Sequence, residues 1–420
     1  MRVKFAKTMI TVTATGLAIA AAGPLTAQAA QAGPVSNTVS VPCNATTLAT
    51  DITGAASGQT LQLTPGCTYV LTSALPSIGT DLTIQGNSST LEPSLTGSPP
   101  DFSLLEVTSG ANVTISSLNF RNGYATEYGG GIYNDGGAVT VNGGTFSGNT
   151  AGEEGGAIYN DGALSVTGST FTGNHIRLGY YGGAIYNGYD ATISRSTFTA
   201  NSAEYGGGVY SDYNTVLTSS VFSRNNALYG GGLYVYDSGI TTVSTSSFLG
   251  NEAEYGGGAY NYGYATTFLS TLFGSNSAEY GGGIDSHYYL TLIGGSIYGN
   301  NAVYGGGVYT FDDLVTTGGT SFTGNTAEYG GGLDVADDYA TVTSAIFHAN
   351  SASDEGGGIY VDADHLTLQT DSITYNSAPY SDGGGVFDES GTVSLVGPNL
   401  IFQNPGGNCA PVSLVDGCTG

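Results

Sequence analysis

Apolar and polar residues alternate over short segments along most of the chain, and this pattern predicts β-strands. In LSVTGSTF (164–171), Leu164, Val166 and Phe171 can share one face while small polar residues point to the other side or turn. Similar segments return every 24 to 27 residues, with glycine-rich corners and almost no helical pattern. We therefore predict an all-β fold, a parallel β-solenoid whose turns stack and bury one another's apolar faces.

Three columns of equivalent residues define the repeat. An aliphatic residue follows two or three glycines in eleven copies, from Ile132 to Val386. A second column is mostly phenylalanine, from Phe120 to Ile373, and asparagine stands three residues after most of its members, from Asn149 to Asn376. Glycine permits tight corners, and stacked asparagine amides can hydrogen-bond from turn to turn. Both columns are interpreted as architectural.

These motifs resemble a known repeat family. GGAIYN at 155–160 and 182–187, with FSGN at 146–149 and FTGN at 171–174, is similar to the paired signature of the polymorphic outer membrane protein repeat. The resemblance covers about residues 110–390 and implies a right-handed parallel β-helix of the pectin-lyase-like class. It also implies export and display at a cell surface, often in adhesion. Because no membrane anchor of the kind usual in that family is found, we expect free secretion or non-covalent attachment.

The two ends of the chain differ from the repeats. Basic residues at Arg2, Lys4 and Lys7, an apolar run and Ala27-Gln28-Ala29 predict a secretory signal peptide, so that the mature chain begins near Ala30. Later segments fall short of the ~20 apolar residues of a membrane-spanning helix. The predicted parts are the signal peptide (1–30), an N-terminal cap with two or three irregular turns and a short helix at 45–55 (31–110), about eleven regular turns (111–390) and a C-terminal cap (391–420).

Cysteine and charge bear on the environment of the protein. Cys43 with Cys67 and Cys409 with Cys418 predict two disulfides in an exported chain, although sequence alone leaves other pairings open. Removal of the leader leaves four arginines against 33 acidic residues, a net charge of −29. Such a surface repels nucleic acid and anionic lipid. The expected location is extracellular or at the cell surface.

Two columns are mostly tyrosine, and two interpretations of them stay open. One precedes the glycines, and the other follows the aliphatic position and should face outward because its neighbour faces inward. The rings could stack on one another and stabilise the coil, or they could form an aromatic strip that binds a polysaccharide or a cell-surface protein. The candidate binding column comprises Tyr133, Tyr159, Tyr186, Tyr210, Tyr234, Tyr260, Tyr309 and Tyr360.

Acidic residues suggest two kinds of chemistry. Asp313, Asp338 and Asp364 occupy the same place in consecutive copies, and stacked carboxylates favour a weak calcium site, the only cofactor that the sequence suggests. Asp285 and Asp334 replace tyrosine in the outward column two turns apart, roughly 9 to 10 Å, close to the spacing of an inverting carboxylate pair.

These residues leave three functions open: a surface binding or structural module, a polysaccharide hydrolase, and a purely passive fibre or matrix component. The sequence favours a binding, adhesion or structural module over an enzyme. The alternative is a hydrolase of neutral or weakly charged polysaccharide with Asp285 and Asp334 as catalytic candidates. A uronate lyase is disfavoured, because it needs lysine or arginine, and the mature chain has no lysine and no arginine after Arg224.

Overall fold

The protein is a parallel β-solenoid of about 15 turns. The computed structural model describes residues 37–96, 101–363, 365–379 and 382–412, together with Val415 and Cys418. Within these ranges, 36 strands join in one continuous sheet, and every pairing between named strands is parallel. The predicted signal peptide (1–30) and Asp364 lie outside the described residues.

The regular turns contribute strands to three ladders. Strands of the first ladder only are Leu105–Thr108, Ile132–Asp135, Ile158–Asn160, Ile185–Asn187, Val209–Ser211, Ile284–Ser286, Val308–Thr310, Leu333–Val335, Ile359–Val361, Val386–Asp388 and Cys409–Ala410. Leu233–Ser244 and Ala259–Leu269 run through the first and second ladders. Strands of the second ladder only are Thr38–Val41, Gln59–Leu63, Ala191–Ser194, Thr215–Thr218, Leu290–Ile293, Leu314–Thr317, Tyr339–Thr343, His365–Gln369 and Val393–Val396.

The remaining strands complete the coil. Those shared by the second and third ladders are Leu82–Pro93, Asn112–Arg121, Ala138–Ser147 and Ala163–Thr172. Third-ladder strands are Thr68–Leu71, Thr197–Thr199, Val221–Ser223, Ser247–Leu249, Leu272–Gly274, Ser296–Tyr298, Ser321–Thr323, Ile346–His348, Ser372–Thr374 and Leu400–Phe402. Short strands outside this sheet are Tyr124–Ala125, Thr150–Ala151, His175–Ile176, Thr326–Tyr329 and Ser351–Glu355.

The phenylalanine column forms a stacked row along the inside of the third ladder. Phe171 pairs in register with Phe198, their ring centroids are 4.7 Å apart and both rings are fully buried. Six successive pairs from Phe120 to Phe273, and separately Phe322 with Phe347, stack at 4.4 to 4.8 Å. This spacing matches the distance between paired strands, so each ring packs face to face on the ring of the next turn and leaves no gap between them. The predicted in-register core is confirmed.

The asparagine column is a buried chain of hydrogen bonds. The side-chain amide of Asn201 donates to Asn225 Oδ1 at 3.0 Å and to the Phe171 carbonyl at 3.1 Å. The Asn201 backbone N–H also donates to Asn225 Oδ1, at 3.0 Å. The pattern repeats from Asn149 to Asn404. At this corner of each turn, the amides therefore bind backbone groups that would otherwise be buried without hydrogen-bond partners. The predicted amide stacking is confirmed.

The glycine triplets close the corner before each first-ladder strand. Gly206 has φ of 67°, and a Cβ there would lie 2.4 Å from the Val209 carbonyl oxygen. At Gly208 an added Cβ would lie 2.8 Å from a ring carbon of Phe222. The first position therefore needs a left-handed backbone, and the third leaves room for the phenylalanine of the next turn.

A helix and two disulfides secure the ends. The single helix of the described ranges, Ala45–Thr53, buries Leu48 and Ile52, and the Asn44 side chain accepts the Thr47 N–H at its first turn. Cys43 is bonded to Cys67 and Cys409 to Cys418, as predicted. The helix covers the open end of the coil. Second-ladder strands begin at Thr38, but first-ladder strands begin only at Leu105, and the pairing of Leu82–Pro93 with Asn112–Arg121 shifts in register, so the first turns are less regular than those that follow.

Candidate functional site

The outer side of the first ladder carries a double layer of tyrosine. The column after the aliphatic residue does face away from the main core, but the column before the glycines packs over it. Tyr210, Tyr234 and Tyr260 retain only 5 to 6% of their surface and form a second buried cluster. Tyr133, Tyr159, Tyr186, Tyr309 and Tyr360 are half-buried. The expectation of a freely exposed strip is therefore wrong for the middle of this column.

Ring contacts run both along and between the two columns. Tyr229 stacks on Tyr255 at 4.7 Å in the pre-glycine column and meets Tyr260 edge-on at 5.3 Å. Along the other column, Tyr210 stacks on Tyr234 at 5.1 Å. Burial raises the pKa of the Tyr210, Tyr234 and Tyr260 phenols above the ordinary tyrosine value, so they stay neutral at physiological pH. The stacking interpretation is confirmed for these rings.

Asp285 interrupts the tyrosine column with a buried carboxyl group. It pairs in register with Tyr260 on one side and Tyr309 on the other, and it is fully buried. Neither carboxyl oxygen has a hydrogen-bond partner in the described structure, but His287 Nε2 lies 3.3 Å from Oδ1. Burial raises the pKa of Asp285 to about 6, against the opposing effect of His287.

Asp334 is the second interruption of the same column. It pairs with Tyr309 and Tyr360 and is 2% exposed. Burial, with a smaller effect from the charge of Asp362, raises the pKa of Asp334 well above its usual range. Tyr309 therefore lies between two carboxyl groups, and their charges add to the burial that raises its own pKa. Both acids share one column as predicted, but the expectation that they are exposed is wrong.

An exposed aromatic patch lies beside this column, two residues further along each strand. Its members are Tyr236, Tyr262, His287 and Phe311. Tyr236 and Tyr262 stack at 6.0 Å, Tyr262 and His287 are 6.1 Å apart, and His287 and Phe311 stack at 5.6 Å. The three rings other than His287 are 38 to 44% exposed. We call these four residues the aromatic patch.

The patch was missed at the sequence level although its signal was present. Period-two alternation sends Tyr234 and Tyr236 to the same side of the strand, and the same holds for Asp285 and His287. The column-by-column comparison favoured positions that repeat in every turn. The patch occupies only four turns, so it does not stand out as a repeat.

Of the predicted calcium ligands, Asp313 and Asp338 do not lie opposite each other, and Asp364 lies outside the described residues. Leu314 pairs with Ala340, which sets Asp313 against Tyr339 rather than Asp338. The Asp338 carboxyl instead lies within hydrogen-bonding reach of Asp312, whose pKa is raised mainly by burial. In the part of the chain that the structure describes, no group of three or more His, Cys, Asp or Glu side chains is placed to hold a metal ion. Calcium binding stays a prediction.

Two shallow clefts lie on a different side of the coil. One has a volume of about 410 Å³ along the second-ladder strands between Ala138 and Val216, and the other, about 370 Å³, adjoins it. Neither cleft contains Asp285, Asp334 or a member of the aromatic patch. The predicted catalytic acids are thus not at a cleft among these two.

Comparison with known proteins identifies the coil. Residues 103–273 match the sequence family described as "Right handed beta helix region". The chain is a right-handed parallel β-helix. No curated protein sequence matches it. Among the described residues, no helix has the length and apolar character to cross a membrane.

Solved structures match this chain at low similarity. The Dettilon tailspike protein is 11% identical, with a TM-score of 0.41, over 82% of this chain and 64% of that chain. Tailspike protein 3 of bacteriophage CBA120 is 13% identical, with a TM-score of 0.39, over 88% of this chain and 59% of that chain. An alginate lyase from Paenibacillus sp. strain FPU-7 is 12% identical, with a TM-score of 0.24, over 87% of this chain and 98% of that chain. This β-helix spans less than two thirds of either tailspike chain, and the similarities carry no residue or activity across.

Proposed function

We propose that this protein is an exported β-helix that acts at a cell surface as an adhesion module and binds a polysaccharide through the aromatic patch. The single observation that carries the proposal is the exposed run of Tyr236, Tyr262, His287 and Phe311 across four turns. Sugar rings present apolar C–H faces, and aromatic side chains offer large contact area at little cost in conformational entropy.

The rigid layer beneath the patch supports this function. Tyr262 lies against Tyr260 at 6.3 Å, and Tyr260 is held between neighbouring tyrosines of the buried cluster. A ring held by packing before binding loses little freedom on binding. The spacing of the rings follows the turns of the coil, so a linear polymer can contact several of them at once.

Retention of the purified mature protein on insoluble polysaccharides tests the proposal. We expect the protein to be pulled down by at least one polysaccharide from a panel of cell-wall and plant polymers. Tyr262→Ala and Phe311→Ala should each weaken retention about tenfold, since each removes a stacking surface worth about 1 kcal/mol or more.

The matched control is Tyr375→Ala, which removes another exposed tyrosine, 52% exposed, just beyond the third-ladder strand Ser372–Thr374. It should leave retention unchanged. Circular dichroism and thermal unfolding check that each variant is folded. Retention that survives both patch substitutions would exclude the patch, and retention on no polymer would favour a purely structural role.

A polysaccharide hydrolase is the second candidate. It is favoured by two buried acids in one column whose pKa values are both raised, Asp285 to about 6 and Asp334 well above its usual range. They lie two turns apart, roughly 9.6 Å, near the ~9.5 Å upper end for an inverting pair. Against it, Tyr309 fills the space between them, and neither acid reaches open solvent.

Sugar release in the same tubes separates the two candidates. A hydrolase should liberate reducing ends, and Asp285→Asn and Asp334→Asn should abolish the release while leaving the protein folded. The binding module should release nothing in either form. Sugar release that both substitutions leave intact would point to a contaminating enzyme and exclude these acids.

A further inference from the structure

The aromatic patch lies in a region without basic side chains other than histidine. Beyond Arg224 the sequence contains no lysine or arginine. Carboxylates border the patch along its own row: Asp212 precedes Tyr236 by one turn, and Asp362 follows Phe311 by two turns. Asp312 directly follows Phe311. A ligand on the patch is therefore surrounded by negative potential.

A buried carboxyl group adds to this negative potential only above about pH 6, the value to which burial raises the pKa of Asp285, so at lower pH the exposed carboxylates carry it alone. Asp285 lies directly beneath this surface, next to His287, with both carboxyl oxygens lacking a hydrogen bond. A buried carboxylate without adequate partners is costly, and a nearby positive charge reduces that cost. His287 Nε2, 3.3 Å from Asp285 Oδ1, supplies such a charge only when the imidazole is protonated, and His287 is itself a member of the patch.

Tyrosine rings complement these charges. The face of an aromatic ring carries negative potential and attracts an ammonium group placed above it. Tyr236, Tyr262 and Phe311 present 38 to 44% of their surface to solvent, so a ligand can reach them. Rings and carboxylates together favour a ligand that is cationic and has apolar surface, and they disfavour an anionic one.

We propose that the ligand of the aromatic patch is a cationic polysaccharide, a polymer whose sugars carry free, protonated amino groups. This inference rests on the proposed function. The sugar rings stack on Tyr236, Tyr262 and Phe311, and the ammonium groups lie among the rings and the bordering carboxylates. A neutral polymer keeps only the stacking, and a polyuronate is repelled.

Deacetylated chitin and the same preparation after chemical N-acetylation form a matched pair of probes, because they differ only in the amino groups. At mildly acidic pH we expect the full-length mature protein to bind the amine form at least about tenfold more tightly, with a difference that shrinks as salt is added. Tyr262→Ala should weaken binding to the amine form without any change in charge. Asp212→Asn combined with Asp362→Asn should reduce the difference in affinity between the amine form and the N-acetylated form.

Asp135→Asn is the charge-matched control for Asp212→Asn alone, since Asp135 is exposed in the same row but four turns, roughly 19 Å, before Tyr236. That distance exceeds the Debye length of about 10 Å at 0.1 M salt, so this change should leave the preference intact. Equal binding to both polymers would overturn the inference while the proposed function stands. Amine binding that Tyr262→Ala leaves unchanged would mean attraction by net charge alone, which also overturns it. Binding to neither, nor to other polysaccharides, would contradict the proposed function itself.

Discussion

The phenylalanine row inside the coil and the tyrosine rows outside it share the same repeat but differ in regularity. Inside, seven phenylalanine pairs stack within 10° of parallel, and a single kind of contact recurs from turn to turn. Outside, ring angles range from stacked to edge-on, and Asp285 and Asp334 replace tyrosine altogether. The regular inner row holds the coil together. The irregular outer rows, and the acids that interrupt them, lie where the surface differs from turn to turn.

Removal of one inner ring should have the largest effect. Phe198→Ala deletes a fully buried side chain between Phe171 and Phe222, and we expect a loss of about 3–5 kcal/mol in the free energy of unfolding. Chemical denaturation measures it. The neighbouring outward substitution Thr199→Ala should change stability by less than about 0.5 kcal/mol. Comparable losses for the two would mean that the row does not carry the core.

Removal of one asparagine amide from the buried chain should reduce stability nearly as much. Asn225→Ala removes the donor to Asn251 and Phe198 and the acceptor of Asn201, so several buried polar groups lose their partners. We expect a loss of about 2–4 kcal/mol. Asn142→Ala, at an exposed position of the second ladder, provides the control and should be nearly neutral. Similar values for the two substitutions would contradict the role given to the buried amides.

Replacement of Asp285, which interrupts the outer tyrosine column, should increase stability rather than reduce it, because its buried charge destabilises the folded state. Folding raises the pKa of Asp285 from 3.8 to about 6, so wild-type stability is penalised above pH 6 and the penalty is gone below about pH 3.8. Asp285→Asn should therefore raise the free energy of unfolding by about 2–3 kcal/mol near pH 7, and the gain should vanish towards pH 4.

Thermal unfolding of both proteins across this pH range measures the effect. Asp135→Asn, an exposed acid of the same ladder, should show no such pH-dependent gain. If the increase in stability of Asp285→Asn stays the same at low pH, the ionisation of this carboxyl group does not cause it.

The smallest effect on stability is expected at the patch. Tyr236 is 39% exposed, so Tyr236→Ala should cost less than about 1 kcal/mol. Tyr234→Ala, two residues earlier and 5% exposed, should cost about 3 kcal/mol or more. Equal costs in denaturation experiments would remove the distinction between the buried tyrosine cluster and the exposed patch.

The repeat itself could be predicted from sequence because stacking forces equivalent residues into equivalent environments. The period, the inward phenylalanines, the amide chain, the capping helix and both disulfides follow from residue type and spacing alone. Each depends only on contacts with the turn before and the turn after.

Exposure on the outside could not be predicted in the same way. Whether Tyr234 is covered depends on the pre-glycine column, whose rings fold over it from another part of the turn. Asp313 and Asp338 have equal sequence positions after the glycines, but an extra residue between strands shifts them out of register. The exposure and neighbours of the outer side chains depend on the paths of the connecting segments. Equivalent positions in the repeat do not reveal those paths.

The amide chain has a direction, since each Asn side chain donates to the Asn of the following turn. It starts at the Gly123 N–H, which donates to Asn149, and it ends where Asn404 donates to Asn408 only four residues away. Between these points every link is interchangeable. A complete turn with its own asparagine could therefore be gained or lost by duplication without disturbing the links on either side, and the rod could change length across generations while a binding surface confined to four turns is inherited intact.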